Sequence, residues 1–190
     1  MKVIGFSGSP RKDGNTDRLV RQVLEGAAAA GAATAFFRVA DLDIKGCTAC
    51  YACRPTGVCA LKDGMTPLLA EVFAADAVVL GSPVYMGQMT GQLKVFVDRL
   101  MPVLGPNFIT RLRKHPALLC VFTQGHEKEA MFRAYMDGTS HFLGFLGFTS
   151  KGVLAAVGTR ERNDIEKQPD VLAKARALGA ELAGGPGSGV

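Results

Sequence analysis

The sequence predicts an open, doubly wound α/β sheet of parallel strands, and three observations carry that reading. Strand-like and helix-like segments alternate along the chain. The strands are continuous apolar runs, as expected where helices cover both faces. The first and third strands stop abruptly at Ser7-Gly8-Ser9-Pro10 and Gly81-Ser82-Pro83, small and rigid residues that turn a strand into a loop.

Each element follows from its own pattern. Lys2 to Phe6 is short and apolar and reads as the first strand. Thr16 to Ala30 reads as a helix, with Leu19, Val20, Val23, Leu24 and Ala27 on one face and Asn15 in place to cap it. Thr34 to Val39 is the second strand, followed by a cysteine-rich loop. Thr66 to Ala75 is helical, with Leu68, Leu69, Val72 and Phe73 on one side. Ala77 to Leu80 is the third strand. Thr90 to Val103 is an amphipathic helix burying Leu93, Phe96, Val97, Leu100 and Met101, with Lys94 and Asp98 paired on its outer face. Ala117 to Phe122 is the fourth strand, and Glu127 to Phe145 is mostly helical, with Gly138 a candidate break. Lys151 to Val157 is the fifth strand and Pro169 to Leu182 the closing helix. Five parallel strands in this alternation predict the flavodoxin-like order 2-1-3-4-5.

The totals fit one such domain. Of 190 residues, 48% are hydrophobic, enough for a core that hides roughly 70% of the unfolded surface. Residues 1–183 are expected to form a single domain that includes the cysteine-rich loop 46–64, and the Gly-rich residues 184–190 a flexible tail. Met1-Lys2 leads straight into an apolar strand with no signal-type segment, and no run approaches the ~18 apolar residues of a membrane span. The expectation is a cytoplasmic protein that meets no membrane. The net charge of +5 is spread out except at Arg111, Arg113, Lys114 and His115. That run has no interleaved aromatics, so a solvated loop is expected there rather than a nucleic-acid surface. A basic rim would attract an anionic cofactor or an acidic electron carrier.

Two loops carry the chemistry of a ligand site. Ser7-Gly8-Ser9-Pro10-Arg11-Lys12-Asp13-Gly14-Asn15-Thr16 joins the first strand to the first helix. Its backbone N–H groups can converge on one anion, with side-chain donors from Ser7, Ser9, Asn15 and Thr16 and charge from Arg11. It lacks the P-loop lysine and the G-x-G-x-x-G fingerprint. Hydroxyls without that lysine suit a terminal phosphate monoester such as that of FMN. An ordinary strand-to-helix turn is the competing reading. The second loop, Gly81 to Lys94, follows the third strand and so falls beside the first at the carboxyl edge of the sheet. Its Pro83, Gly87 and Gly91 allow backbone to approach a flat ring. Tyr85 and Met86 would pack on that ring, or else serve as core or interface residues.

Four of the five cysteines, Cys47, Cys50, Cys53 and Cys59, lie in one short stretch. Two x-x spacings and a longer arm suit a cubane iron–sulfur cluster, whose ligands sit at separate corners. Structural zinc more often pairs two distant Cys-x-x-Cys knuckles. Zinc is the next reading, and a loop binding no metal is the bland one. Cys120, within an apolar strand, reads as an inert buried thiol.

Taken together, Ser-Gly-Ser-Pro-Arg…Gly-Asn-Thr, the cysteine loop, and Ser82-Pro83-Val84-Tyr85 through Lys94 to Asp98-Arg99 resemble the NADPH-dependent FMN reductase superfamily. The four-cysteine loop is similar to that of its iron–sulfur flavoproteins. The resemblance runs from residue 1 to about 160. It implies a flavodoxin-like fold, FMN as cofactor, and homodimers or homotetramers. By position it implies that Ser7, Ser9, Pro10, Arg11, Asn15 and Thr16 hold the phosphate, and that Pro83, Val84, Tyr85, Met86, Gly87 and Gln88 hold the isoalloxazine. Thr123, Gly125 and His126, with Gln124 between them, would complete the flavin site, and Cys47, Cys50, Cys53 and Cys59 would bind a 4Fe-4S cluster. The chain departs from the family in reading Asp63-Gly64-Met65 where members often read Asp-Asp-Met, and in Met86 where many carry a larger aromatic.

The function expected is that of an electron-transfer iron–sulfur flavoprotein in which FMN and cluster exchange electrons, with no side chain needed as acid or base. NAD(P)H or a ferredoxin-like protein would be the donor. A cluster-free NAD(P)H-dependent FMN or quinone reductase is the first alternative, and a zinc-stabilised flavodoxin-like binding module the second.

Overall fold

The computed structural model describes residues 1–184. The expected tail lies outside the described residues apart from Gly184, which caps the last helix.

Strand β1 (Lys2–Ser7) lies between β2 (Ala33–Arg38) and β3 (Ala77–Tyr85). Beyond β3 come β5 (Ala117–Thr123) and β6 (Thr149–Ala156), all parallel. This is the expected order of the five long strands. A two-residue strand, β4 (Gln88–Met89), adds to it by folding back antiparallel on the end of β3. Its turn, Met86-Gly87, has φ of 49° and 78°, the two positive values of the tight hairpin turn whose twist matches its strands.

Successive side chains of a strand point to opposite faces, and both faces are covered. Val3, Val79, Val121 and Leu154 pack under α1 (Asn15–Ala29) and α6 (Pro169–Ala183). Ile4, Phe6, Leu80, Cys120 and Phe122 pack under α3 (Met65–Ala74), α4 (Gly91–Asp98) and α5 (Ala130–Gly144). Helix α2 (Cys53–Thr56) is one turn within the cysteine loop.

Four local readings change. The cap of α1 is Gly14 rather than Asn15, and it offers no side-chain cap bond to the first-turn amides. The third strand runs five residues further, because Gly81, Ser82 and Pro83 still pair with Val121, Phe122 and Thr123 of β5. Helix α4 ends at Asp98, and a 3-10 turn over Met101–Val103 follows. Pro102 accounts for this, since it lacks an N–H and disfavours helical geometry at the residue before it. Gly138 does not break α5. No helix among the described residues is long and apolar enough to cross a membrane.

Candidate flavin edge and thiol cavity

All five parallel strands end on one edge, and hydrogen bonds gather the loops there. Gly8 N donates to Gly81 O at 2.9 Å, and the Thr90 hydroxyl donates to Gly8 O at 2.7 Å. These join the first loop to the second. Thr16 and Thr123 share a hydroxyl–hydroxyl bond of 2.7 Å, which joins the first loop to the segment after β5. Glycine is required at position 8, because a Cβ there would sit 2.4 Å from Leu93 Cβ.

Within the first loop several side chains are spent on the loop itself. The Ser7 hydroxyl donates to Asp17 Oδ1 at 2.5 Å, and Asp13 N donates to Asp17 Oδ2 at 2.9 Å. Asp17 is fully buried and paired with Arg38 from the end of β2, which also donates to Ser9 O at 3.3 Å. Ser9 Oγ accepts from Arg11 N at 3.2 Å. Asn15 reaches across to the segment after β6, donating to Glu161 O at 2.6 Å and accepting from Ile165 N at 3.0 Å. Its amide therefore pins a distant segment. Among the described residues the α1 amides have no side-chain cap, and they sit at the positive end of a helix dipole, where an anion is favoured. Pro10 and Arg11 are exposed, and Arg11 Nη1 donates to Arg160 O at 2.8 Å.

In the second loop Pro83 and Val84 are half-buried. Tyr85 is 43% exposed and Met86 fully exposed at the hairpin tip beside Gly87, while Gln88 pairs with Tyr85 in the ladder. Tyr135 of α5 steadies the hairpin by accepting from Met89 N at 3.0 Å. After β5, Thr123 is buried and Gly125 half-buried. His126 is exposed, and its Nδ1 accepts from Lys128 N at 3.0 Å. Gln124 shapes this turn by donating to His126 O and Lys128 O at 3.0 and 2.9 Å, and its buried Oε1 has no partner among the described residues. That free acceptor, the uncapped α1 amides and the bare apolar tip at Tyr85-Met86 fit the phosphate and ring of FMN.

The four clustered cysteines line one cavity of about 120 Å³, walled also by Tyr51, Leu61, Met101 and Pro102. Cys53 is buried, Cys59 half-buried, and Cys47 and Cys50 exposed. Positive φ at Ala49 (52°) and Tyr51 (58°) turns the chain on either side of Cys50. Among the described residues no three His, Cys, Asp or Glu side chains are grouped to hold one metal ion. The thiols thus surround a hollow instead of closing on a point. Hydrogen bonds from Ala52 N–H and the Thr48 side chain push the Cys50 thiol down, whereas burial pushes Cys53 up. Cys120 lies apart in β5, where burial pushes its thiol up to about 12.

Two arginines fasten the cysteine loop. Arg99, at the carboxyl end of α4, is 1% exposed. It grips Asp63 with two bonds of 2.7 and 3.0 Å, donates to Lys45 O at 2.6 Å, and reaches Cys59 Sγ at 3.5 Å. The guanidinium holds the Asp63 carboxyl down to about 2. Arg111 donates to Leu104 O at 2.5 Å and to Arg54 O, so the first residue of the expected solvated basic run is a structural tie. In the sequence Arg99 belongs to a motif that assigns it no role. A lone charge on the apolar stripe between Phe96 and Leu100 is the available signal. At Gly64 a Cβ would be a tight fit, 3.0 Å from Asp43 O.

Residues 1–149 match the family model described as NADPH-dependent FMN reductase. The chain belongs to this family. It is 44% identical over 103 residues to an iron-sulfur flavoprotein of Methanocaldococcus jannaschii, an alignment covering 54% of the chain and 53% of the relative. It is 35% identical over 118 residues to an iron-sulfur flavoprotein of Methanosarcina thermophila, covering 62% of each. An FMN-dependent NADH:quinone oxidoreductase of Pseudomonas putida is 35% identical over 99 residues, covering 47% of the chain and 48% of the relative. The chain thus spans about half the length of the curated relatives it matches. Among solved structures, an NAD(P)H:quinone oxidoreductase from Methanothermobacter marburgensis superposes with a TM-score of 0.70 at 18% identity, covering 96% of both chains. An NADH:FMN oxidoreductase superposes at 0.69 and 20% identity, covering 99% of this chain and 91% of that one. At those identities the likeness speaks for the fold alone. Most of β6, and all of α6, lie beyond the stretch that marks this chain as an FMN reductase family member.

Proposed function

We propose that this FMN reductase family member is a flavin-dependent oxidoreductase of the iron–sulfur flavoprotein kind, holding FMN at the sheet edge and a 4Fe-4S cluster, bound by its four clustered cysteines, in the thiol cavity. One observation carries the flavin reading: hydrogen bonds join three loops, read separately from sequence, at one edge, where donors and bare apolar surface face outward. When bound, FMN supplies transfer of electrons as a hydride or singly, and the cluster supplies transfer of one at a time. The uncapped amides of α1, with Arg11 and Ser9, hold the phosphate. The 83–88 hairpin would offer Tyr85 and Met86 to the ring, and the 123–126 turn would supply further contacts beside it. Cys47, Cys50, Cys53 and Cys59 supply four soft thiolate ligands, the donor set that iron–sulfur clusters take.

The iron–sulfur flavoprotein relatives support the cluster, and so does the thiol-lined hollow. A cluster-free NAD(P)H-dependent FMN or quinone reductase is the second reading, supported by the family's description and the Pseudomonas putida relative. In either case the partners are a small-molecule or protein electron donor and acceptor, the setting is the cytoplasm, and the working form is a homodimer or homotetramer.

Cofactor analysis of anaerobically prepared protein tests this. Brown protein is expected, containing FMN, iron and acid-labile sulfide. Yellow, iron-free protein that bleaches on adding NAD(P)H establishes the second reading, and protein without affinity for FMN refutes both.

A further inference from the structure

A buried arginine needs an acceptor for every N–H, and Arg99 is one short. Its guanidinium has five N–H donors. Four are used, on Lys45 O, the two Asp63 oxygens and Cys59 Sγ. The fifth, Nε–H, is buried without a partner among the described residues, a defect that costs stability, more so for a charged group. Arg99 also forms part of the wall of the thiol cavity. A buried cation therefore borders the hollow that four cysteines surround, and its Nη2 reaches the sulfur of one of them. Asp63 is itself oriented by Lys45 N and Met65 N, each at 3.0 Å, so the arginine is held from behind and cannot swing to solvent.

We propose that Arg99 is the charge partner of the metal centre, positioning Cys59 by its hydrogen bond to sulfur and raising the centre's reduction potential. The inference rests on the cluster reading above. Taking up one electron adds one negative charge to the centre. A fixed cation and an N–H···S bond stabilise that more negative form, and hydrogen bonds to sulfur and net charge are established controls of cluster potential. Asp63 and the Lys45 carbonyl act through Arg99 and not on the sulfur. The device makes the centre easier to reduce, and so shifts where an electron shared with the flavin rests.

The test compares Arg99→Gln and Arg99→Lys with the parent protein, reconstituted anaerobically with iron and sulfide. The readouts are iron and sulfide per chain, bound FMN, and the midpoint potential from a dithionite titration followed by electron paramagnetic resonance. Arg99→Gln is expected to load the centre with its potential shifted lower, and Arg99→Lys to fall between it and the parent. A loaded Arg99→Gln with an unchanged potential overturns the proposal. Where Arg99→Gln does not load, rescue of loading by Arg99→Lys supports the need for charge. Equal failure of both, with FMN still bound, overturns it. A parent protein that binds FMN but takes up no iron or sulfide refutes the cluster reading itself, a result separate from any of these.

Discussion

At the scale of single residues, the Arg99–Asp63 pair should contribute a distinct part of the response to acid. Both side chains are almost fully buried, at 1% and 3% exposure. The Asp63 carboxyl is held near 2 in the folded chain, below the ~3.9 of a free aspartate. A depressed folded value means the pair's stabilisation is complete above pH ~4 and is lost as pH falls towards 2. The amount is on the order of 2–3 kcal/mol. Urea unfolding at pH 6, 4 and 3 should show this decline, and Asp63→Asn should flatten it while lowering stability at pH 6, because it leaves a buried cation uncompensated. An identical pH profile in the variant would assign the acid sensitivity elsewhere. The pair is hidden in the sequence for a plain reason: Arg99 meets partners 36, 40 and 54 positions away. No local spacing encodes such contacts.

At the scale of elements, helices α1 and α6 touch backbone to backbone. A Cβ on Gly179 would stand 1.8 Å from Val23 O, and one on Gly26 would stand 1.9 Å from Arg176 O. The contact is reciprocal, a glycine on each helix meeting a carbonyl on the other. Neither overlap can be relieved by rotating a side chain, because the obstacle is main chain. Gly179→Ala must push α6 off the sheet, opening the layer of Ala175 and Leu182 over Leu154. Its cost should reach the top of the 1–3 kcal/mol usual for overpacking, or exceed it, despite the better helix propensity of alanine. A thermal melt checks this, and an unchanged or higher midpoint would show that the helices can separate at no cost. Such a contact is invisible to periodicity, which marks the apolar faces of α1 and α6 but not the distance between them. What is legible in the elements is alternation: apolar strands and striped helices give away the sheet order, and small residues mark roughly where the first strand gives way to its loop. Beyond Leu80 the small residues mislead, since Gly81, Ser82 and Pro83 keep pairing with β5.

At the scale of the whole molecule, the two candidate sites are the two ends of one helix. Thr90 caps α4 at the flavin edge, bonding Gly8 O. Arg99 caps it at the other end, against Cys59. The eight residues between span about 12 Å. The topology explains the legibility of the flavin edge, because parallel strands deliver loops from distant sequence to one rim, and each loop announces itself by composition. The thiol cavity is half legible: its cysteines are adjacent in sequence, while its arginines come from elsewhere. Sites more than about 7–10 Å apart with no shared partner respond to substitution independently, within about 0.3–0.5 kcal/mol or a factor of about 2 in affinity. Cys53→Ala should therefore abolish iron and sulfide and leave the FMN dissociation constant within about twofold. Arg11→Ala should weaken FMN more than riboflavin, which has no phosphate, and leave the iron content unchanged. Full iron in Cys53→Ala would refute the ligand set, and equal losses of FMN and riboflavin would refute the phosphate loop. A fall in FMN affinity of about tenfold or more in Cys53→Ala, well outside the additive range, would mean that α4 transmits between its ends, which a rigid helix anchored by Thr90 and Arg99 could do only by moving as a unit.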